Sequence, residues 1–286
     1  PEVLRVCHTL SRLASERGLD RIVRGTAVVS FDHDRALVDA VSRRCDVRIL
    51  WGGDDSIRAL RESPLRADAR EISFPDRLSL AIVGASGWNA ADEREQERIV
   101  HAFCQDVWTF HQLACSSPKA LVFLGDAAAC TAAGASFWPR VDRELERLGV
   151  DVPAATSMEN ARLSYGALAD GAASGVARRS NQLWVLATSN LADLRDRKWG
   201  GGLVAELEIR RTEELGPLLQ PSDQTLTYAA LRAAELDAIE PIAVARGIAR
   251  LVPMGRALAF TEIWDGIDLV NELTRLVVIE RATGGA

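Results

Sequence analysis

The sequence lacks the patterns that would place it in several common classes of protein. It has 286 residues but no apolar run of about 18, the length that a membrane-spanning helix needs. It shows no signal-peptide pattern, no internal repeat and no low-complexity linker. Its net charge of −6 argues against a broad surface for nucleic acid or anionic lipid. These absences predict a cytoplasmic protein with no nucleic-acid partner and no membrane span.

The cysteine pattern argues against several kinds of site without assigning a role to any one cysteine. Five occur, an odd number, and none forms a C-x-x-C pair. This usage favours reduced thiols over a disulfide framework or a zinc site. The sequence also lacks the Gly-x-Ser-x-Gly elbow of serine hydrolases and the G-x-G-x-x-G turn of dinucleotide-binding domains. Any catalytic chemistry must therefore use a less familiar motif.

What the sequence does have is an alternation of strand-like and helix-like segments, which predicts an α/β fold with a parallel sheet. Apolar runs predict strands at residues 27–31, 47–51, 80–83, 120–124, 183–187, 203–205, 226–228, 251–254 and 276–279. Apolar residues at helical spacing predict a long helix from Asp92 to Ala114. Clustered Gly84, Gly87 and Asn89 suggest a domain boundary near residue 88, and we expect the chain to return to the first domain near residue 260.

Cys115 lies where the long helix is expected to end, in His111-Gln112-Leu113-Ala114-Cys115-Ser116-Ser117-Pro118. A thiolate attacks thioesters readily and is itself a good leaving group, and backbone N–H groups at such a junction can hold an oxyanion. His111, four residues earlier, is a candidate partner in a Cys–His pair or a favourable charge at the helix end. The commoner role of any single cysteine is that of a small buried hydrophobe, and composition leaves that alternative open.

Three further motifs have a structural and a functional interpretation. Gly52-Gly53 lets backbone N–H groups approach a phosphate, but it also suits an ordinary strand-to-helix turn. Glu214, just before Gly216-Pro217, is a carboxylate that could reach a ribose or part of a solvated charge pair. Trp264-Asp265-Gly266 predicts a turn with an aromatic anchor, in which Asp265 holds the turn rather than does chemistry.

Three stretches in this order together resemble the acyl-CoA reductase family typified by the fatty-acid reductase of bacterial luminescence, within the aldehyde dehydrogenase superfamily. They are residues 49–58 with 74–82, residues 106–123 with Cys115 near their centre, and residues 252–269. The resemblance extends over roughly residues 20–280 and implies an aldehyde-dehydrogenase-like α/β fold whose N-terminal part is missing. It implies a partial Rossmann-type cofactor domain at 1–88, an α/β catalytic domain at 89–258 and a return segment or oligomerisation element at 259–286.

The resemblance also implies roles for particular residues. Cys115 matches the family nucleophile, Gly52 and Gly53 match the turn at the cofactor pyrophosphate, and Glu214 matches a contact to the nicotinamide ribose. The implied cofactor is NADPH, with NADH as the alternative. The implied substrate is an acyl-CoA or acyl-carrier thioester, and an acyltransferase or synthetase subunit is the implied partner. We expect a homo-oligomer at full length.

The function that follows is reduction of a long-chain acyl-CoA or acyl thioester to an aldehyde through a Cys115 acyl-enzyme. Hydrolytic aldehyde dehydrogenases have Glu-Leu-Gly-Gly-Lys where this chain has Phe74-Pro75-Asp76-Arg77-Leu78, so the water-activating glutamate is missing. Two alternatives stay open: an NAD(P)-dependent oxidising aldehyde dehydrogenase, and a non-catalytic partner in assembly. The chain starts at Pro1 in a helical pattern, as a fragment would, and we expect the segment alone to bind NADPH poorly.

Overall fold

The computed structural model describes residues 2–30, 32 and 34–281, which divide into two units. The smaller unit contains the described residues up to 48 and residues 55–71, and the larger contains residues 49–54 and those from 72 onward. The predicted boundary near residue 88 differs from this division. The strand Leu78–Gly84, expected in the first domain, is a central strand of the larger unit's sheet.

The first part of the chain is mainly helical, with one pair of strands. Its helices are α1 (Glu2–Glu16), α2 (Asp20–Arg24), α3 (Arg35–Ser42) and α4 (Asp54–Arg61), and strand β1 (Val47–Trp51) pairs with β2 (Arg70–Phe74). The Arg48 guanidinium forms an ion pair with Glu71 that is largely buried. The strand expected at 27–31 is not present over residues 27–30, and Phe31 lies outside the described residues. Residues 27–30 are exposed, so no packing stabilises an extended pairing there.

The larger unit is built on a sheet of seven strands. They are β3 (Leu78–Gly84), β4 (Pro118–Leu124), β5 (Gly175–Arg178), β6 (Trp184–Ala187), β7 (Leu203–Ile209), β8 (Asp223–Ala229) and β9 (Arg250–Pro253). Their order in the sheet is β5-β6-β7-β4-β3-β8-β9. All neighbouring pairs are parallel except β5 with β6, which is antiparallel at one edge. The two middle strands β3 and β4 are largely apolar, as expected of parallel strands buried on both faces, whereas β7 and β8 also contain polar residues.

Two hydrophobic clusters cover the two faces of this sheet. The remaining elements are α5 (Ala85–Ala90), α6 (Glu93–Trp108), α7 (Ala127–Arg147), α8 (Ala154–Ala169), α9 (Ala192–Arg195), a 3-10 helix (Thr212–Leu218), α10 (Ala233–Ala245), a hairpin of β10 (Ile263–Trp264) and β11 (Ile267–Asp268), and α11 (Leu269–Leu273). Trp88, Phe103 and Phe137 of α5, α6 and α7 belong to one cluster. Leu163 and Ile239 of α8 and α10 belong to the other.

Two predicted elements differ from the observed ones. Helix α6 ends at Trp108 instead of Ala114, because the chain turns into a left-handed conformation soon afterwards. The strand expected at 276–279 is absent, and its four apolar side chains are 74–92% exposed. Within the described ranges, none of the helices has both the length and the apolar character needed to cross a bilayer.

Candidate active site

Cys115 lies in residues 109–117, the segment between α6 and β4 that we call the cysteine loop. The loop brings Cys115 to the edge of the sheet at which the parallel strands begin, the amino edge. Ser79 Oγ, at the start of β3, donates to the Cys115 carbonyl oxygen at 2.7 Å and accepts from the Thr225 backbone N–H at 3.2 Å. The backbone of Cys115 is therefore fixed to the first residues of β3 and β8.

Two left-handed residues shape the cysteine loop. His111 has φ of 50° and Gln112 has φ of 61°, conformations that cost a non-glycine residue about 1–2 kcal/mol each. Gln112 is fully buried, and its side-chain amide donates to Pro118 O and Leu203 O, both at 3.0 Å. These bonds offset the strain. His111 is exposed and lies beyond the end of α6, so the helical spacing expected between His111 and Cys115 does not occur.

A glycine segment, residues 200–202, lies against the cysteine loop. Gly201 and Gly202 have φ of 60° and 92°. A Cβ on Gly202 would stand 1.8 Å from Gln182 O, so no other residue fits there without moving the backbone. The Gly202 N–H donates to Gln112 Oε1 at 3.1 Å, and the Gly201 N–H donates to His111 O at 3.0 Å. The three glycines were visible in the sequence, but nothing there pointed to this contact.

The surroundings of Cys115 keep its thiol protonated at neutral pH. Burial raises its pKa most, the Asp265 carboxylate raises it further, and Asp76 adds to the effect. The backbone N–H groups of Arg77 and of Cys115 itself interact with the sulfur and lower the pKa by less. Backbone N–H groups of this kind can stabilise negative charge that develops next to a sulfur.

Asp265 reaches this site from a tight hairpin turn. It joins β10 to β11 with φ of 52°, and Gly266 follows with φ of 75°, which matches the type I′ turn that favours Asp-Gly. The predicted turn is therefore confirmed. Burial raises the pKa of the Asp265 carboxyl, and the Gln224 side chain, followed by the charges of Arg77 and Arg250, opposes that rise. The sequence alone gave this carboxylate only a structural role and did not place it near Cys115.

A buried carboxylate anchors the loop that leads to this hairpin. Asp106 of α6 is 1% exposed and accepts hydrogen bonds from the backbone N–H groups of Gly255 at 2.6 Å and Ala257 at 3.0 Å. The Arg250 guanidinium donates to Ala257 O at 2.7 Å and lies over the Trp264 ring, 4.8 Å from its centroid. Burial raises the pKa of Asp106 to about 6. These contacts hold the hairpin that carries Asp265.

Lys119, the second residue of β4, is a cation that contacts the cysteine loop and that the sequence did not indicate. Its ammonium donates to Gln112 O in the cysteine loop and to Trp199 O at 2.7 Å. Burial lowers its pKa to about 8, and negative charge on Cys115 opposes that change. A lysine within a strand is usually solvated, so only the fold shows that this one is half-buried against the cysteine loop.

The family model for acyl-CoA reductase (LuxC) matches residues 5–277. The chain belongs to the acyl-CoA reductase (LuxC) family. This confirms the resemblance read from the three sequence stretches. A long-chain acyl-protein thioester reductase of Aliivibrio fischeri is 29% identical over 96 residues, which cover 33% of this chain and 18% of that protein. The match therefore spans well under two thirds of the relative.

Solved structures place this acyl-CoA reductase family member in the aldehyde dehydrogenase fold. A Delta-pyrroline-5-carboxylate dehydrogenase of Mycobacterium tuberculosis bound with NAD has a TM-score of 0.56 at 11% identity, covering 79% of this chain and 45% of that one. Substrate-bound AldH of Staphylococcus aureus has a TM-score of 0.54 at 10% identity, covering 79% and 49%. The chain spans about half the length of these enzymes, and the predicted fold class is confirmed.

The Gly52-Gly53 turn is the position at which the family resemblance implies a cofactor pyrophosphate. Helix α4 begins immediately after it, which suits an anion. Two carboxylates nevertheless line the turn. Asp76 Oδ2 lies 3.1 Å from where a Gly53 Cβ would stand, and Asp54 Oδ1 accepts from the Asp76 N–H at 3.3 Å. Lys198, 3.7 Å from Asp76, is exposed and screens this charge little. The residues at the turn therefore do not fit a pyrophosphate by themselves.

Glu214 is not brought to Cys115. It lies in the 3-10 helix after β7, where Oε2 accepts from the Arg210 N–H at 3.0 Å. Strands β4 and β7 are parallel, with Ala120 opposite Ala205, so Glu214 belongs to the edge at which the strands end. The length of the strands, roughly 20 Å, separates the two edges. A ribose attached to a nicotinamide beside Cys115 does not span that distance, which differs from the role expected of Glu214.

Proposed function

We propose that this chain carries the acyl-accepting site of an acyl-thioester reductase. Cys115 takes the acyl group from a long-chain acyl-CoA or acyl-carrier thioester, and reduction of the acyl-enzyme releases an aldehyde. Membership of the acyl-CoA reductase (LuxC) family supports the reaction class. The observation that carries the proposal is the position of Cys115, half-buried on a loop whose backbone is held by Ser79 Oγ at 2.7 Å from the Cys115 carbonyl oxygen.

The acyl transfer needs only groups near Cys115. The thiol loses its proton, the sulfur bonds to the thioester carbonyl carbon, and the bond from that carbon to the leaving sulfur breaks. We propose that the Arg77 and Cys115 N–H groups hold the carbonyl oxygen while it bears negative charge. We further propose a nicotinamide as hydride donor, NADPH before NADH, because NAD is bound in solved dehydrogenases of this fold.

The proposed cofactor contacts include fewer residues than the family resemblance implies. We retain Gly52 and Gly53 as backbone contacts only, since the carboxylates of Asp54 and Asp76 disfavour a phosphate at the turn. We leave Glu214 out of the proposed site because it lies at the other edge of the sheet. No step of the acyl transfer depends on these three residues.

The test is acylation of the full chain by tetradecanoyl-CoA without cofactor, followed by intact-mass measurement. We expect one acyl adduct, located on Cys115 by peptide mapping, which is absent from Cys115→Ala and retained in Cys130→Ala. Cys130 is a suitable control because it is buried and burial raises its pKa to about 11. Absence of an adduct on Cys115 at all substrate concentrations would leave the assembly-partner alternative standing.

One observation favours a second candidate, an oxidising aldehyde dehydrogenase. The carboxylates of Asp265 and Asp76 both interact electrostatically with Cys115, and a carboxylate there could activate water. The two functions differ in the fate of the adduct. In a reductase, the Cys115 adduct persists in buffer and is discharged to aldehyde when NADPH is added. In an oxidising enzyme, the adduct hydrolyses without NADPH, and Asp265→Asn slows that hydrolysis.

A further inference from the structure

The Lys119 side chain joins two backbone segments that are far apart in the sequence. Lys119 lies in β4, and its ammonium donates to Gln112 O in the cysteine loop and to Trp199 O at 2.7 Å. Trp199 immediately precedes the glycine segment, and its indole N–H donates back to Lys119 O at 3.4 Å. One residue therefore connects the strand, the cysteine loop and the start of the glycine segment.

The bond to Gln112 reaches the cysteine loop at a strained residue. Gln112 has φ of 61° and is fully buried, and its side-chain amide is bonded to Pro118 O, Leu203 O and the Gly202 N–H. Its carbonyl oxygen is held separately, by the Lys119 ammonium. A hydrogen bond from a charged donor is about twice as strong as one between neutral groups. The Lys119 bond therefore adds to the contacts that maintain the left-handed conformation of Gln112.

Cys115 lies three residues beyond Gln112, between two fixed points of the loop backbone. The first is the Gln112 carbonyl, held by Lys119, and the second is the Cys115 carbonyl, which accepts from Ser79 Oγ at 2.7 Å. In the part of the chain that the structure describes, Lys119 bonds to the loop through Gln112 and not through the Cys115 sulfur. A displacement of about 1 Å at a reacting group can lower a rate about a hundredfold. The bond at Gln112 can therefore matter to Cys115 without touching it.

The surroundings of Lys119 suit a half-buried ammonium. The chain has only two lysines, and the other, Lys198, is 90% exposed. A Cβ on Gly200 would lie 3.4 Å from Lys119 Nζ, so the glycine leaves room for the ammonium. Burial lowers the pKa of Lys119 to about 8, which still leaves the ammonium as the main form at pH 7. The two carbonyl oxygens that it reaches offset part of the cost of burying its charge.

We propose that Lys119 is a positioning residue for Cys115, whose ammonium holds the cysteine loop where the thiol can meet an acyl carbonyl carbon. This inference rests on the proposed acyl transfer and adds a residue that acts through the Gln112 backbone. Lys119 takes no part in making or breaking bonds. Its loss changes where Cys115 lies, and it leaves the reacting groups and the binding of the substrate as they are.

The first test measures the rate of Cys115 acylation by intact mass over a range of tetradecanoyl-CoA concentrations. Lys119→Met keeps the side-chain length but donates no hydrogen bond. We expect its rate at saturating substrate to fall about tenfold or more, with an unchanged half-saturating concentration. Lys119→Arg keeps the charge and the donors, so we expect it to restore most of the rate. The exposed Lys198→Met variant is the matched control, with wild-type kinetics.

Three results would overturn the inference. An unchanged acylation rate in Lys119→Met would show that the loop needs no such bond. A raised half-saturating concentration with an unchanged maximal rate would mean that Lys119 contacts the substrate instead. Equal losses in Lys119→Met and Lys119→Arg would mean that the charged donors are not what the site requires. Circular dichroism checks that each variant is folded.

A second measurement needs no substrate. Hydrogen–deuterium exchange with mass spectrometry follows the amides of the cysteine loop, among them the Gln112 N–H, which donates to Val107 O at 2.7 Å. We expect these amides to exchange about tenfold faster in Lys119→Met and at the wild-type rate in Lys119→Arg. The Leu148 N–H, bonded at the end of α7, is the internal control. Unchanged exchange in the loop, or equal acceleration at Leu148, would overturn the inference.

Failure of this inference is distinguishable from failure of the proposed function. If the wild type forms no adduct on Cys115, the proposed function is wrong, and the exchange measurement still shows whether Lys119 holds the loop. If the wild type and Lys119→Met are acylated at equal rates, the acyl transfer stands and the role of Lys119 is refuted.

Discussion

The two edges of the seven-stranded sheet differ in the reactive and ionisable side chains that they carry. Parallel α/β sheets usually bind ligands where their strands end. In this chain that edge has a cavity of about 390 Å³ lined by Gly125, Ala127, Glu208, Arg210 and Glu214. Its ionisable groups are two glutamates and one arginine, with no nucleophile among these lining residues. The amino edge, by contrast, holds Cys115, whose thiol interacts electrostatically with Asp265 and Asp76.

The difference lies in how the backbone is held. At the amino edge, Gln112 adopts a left-handed conformation that its side-chain hydrogen bonds maintain, and Gly202 packs where a Cβ cannot fit. At the carboxyl edge, Glu214 contacts its own turn through Arg210 N and the Arg211 side chain. A strained backbone conformation that several contacts hold in place is typical of functional sites. The comparison therefore indicates that the amino edge is where the fold maintains a strained backbone conformation at a cost in stability.

The largest effect that would sharpen this comparison comes from Gly202→Ala. Its positive φ and the contact with Gln182 O together predict a loss of about 4 kcal/mol in the free energy of unfolding. Gly171→Ala is the matched control, since Gly171 has φ of 76° with open space around it and should lose only about 1–2 kcal/mol. Urea denaturation of both variants measures the difference, and equal losses would show that the glycine segment is not tightly packed.

Asp106→Asn tests the anchor of the Asp265 hairpin through pH. The folded-state pKa of about 6 exceeds the ordinary value of 3.8, so burial of the neutral acid contributes stability that is complete below pH 4 and lost as pH rises through 6. We expect the wild type to lose about 2–3 kcal/mol more than Asp106→Asn between pH 4 and 7, measured by urea denaturation.

Glu144→Gln is a control for the Asp106 experiment, because the stability that Glu144 contributes changes with pH in the opposite direction. Arg147, and then His101, lower the pKa of Glu144 to about 2, so its contribution is present above its ordinary pKa and lost as pH falls toward 2. Identical pH slopes in wild type and Asp106→Asn would mean that Asp106 is not titrating in the folded protein.

The smallest effect compares one carboxylate at each edge. Asp265→Asn removes a negative charge that raises the Cys115 pKa, so we expect alkylation of Cys115 at pH 7.5 to become about threefold faster. Glu214→Gln, at the other edge, should leave the rate unchanged. A slower reaction in Asp265→Asn would indicate that the carboxylate itself takes the thiol proton, and equal effects of both variants would erase the distinction between the edges.

Much of the larger unit could be predicted from local sequence. The mainly apolar runs at 80–83, 120–124, 203–205 and 226–228 all lie within observed strands, because strands buried on both faces are mainly apolar. The short edge strand β5 escaped prediction, since its exposed side chains need not be apolar. The apolar run at 276–279 failed for the opposite reason, because hydrophobicity alone supplies no neighbouring strand to pair with.

The site was only partly predictable, because contacts between residues distant along the chain leave no local pattern in the sequence. Cys115 could be singled out because its neighbours form a recognisable stretch with Pro118 ending it. Asp265 and Lys119 could not, since 150 residues of chain separate Cys115 from Asp265 and nothing local marks Lys119 as buried. The role of Glu214 stays a prediction of the family resemblance, and only the sheet shows that Glu214 lies at the other edge from Cys115.

The sequence by itself therefore determined the α/β class, most central strands, the family and the candidate nucleophile, because periodicity and short motifs are local properties. Only the tertiary structure decided where the units divide, which edge holds Cys115 and which charges surround it. Those features depend on strand order and on burial, and both arise from contacts between residues distant along the chain.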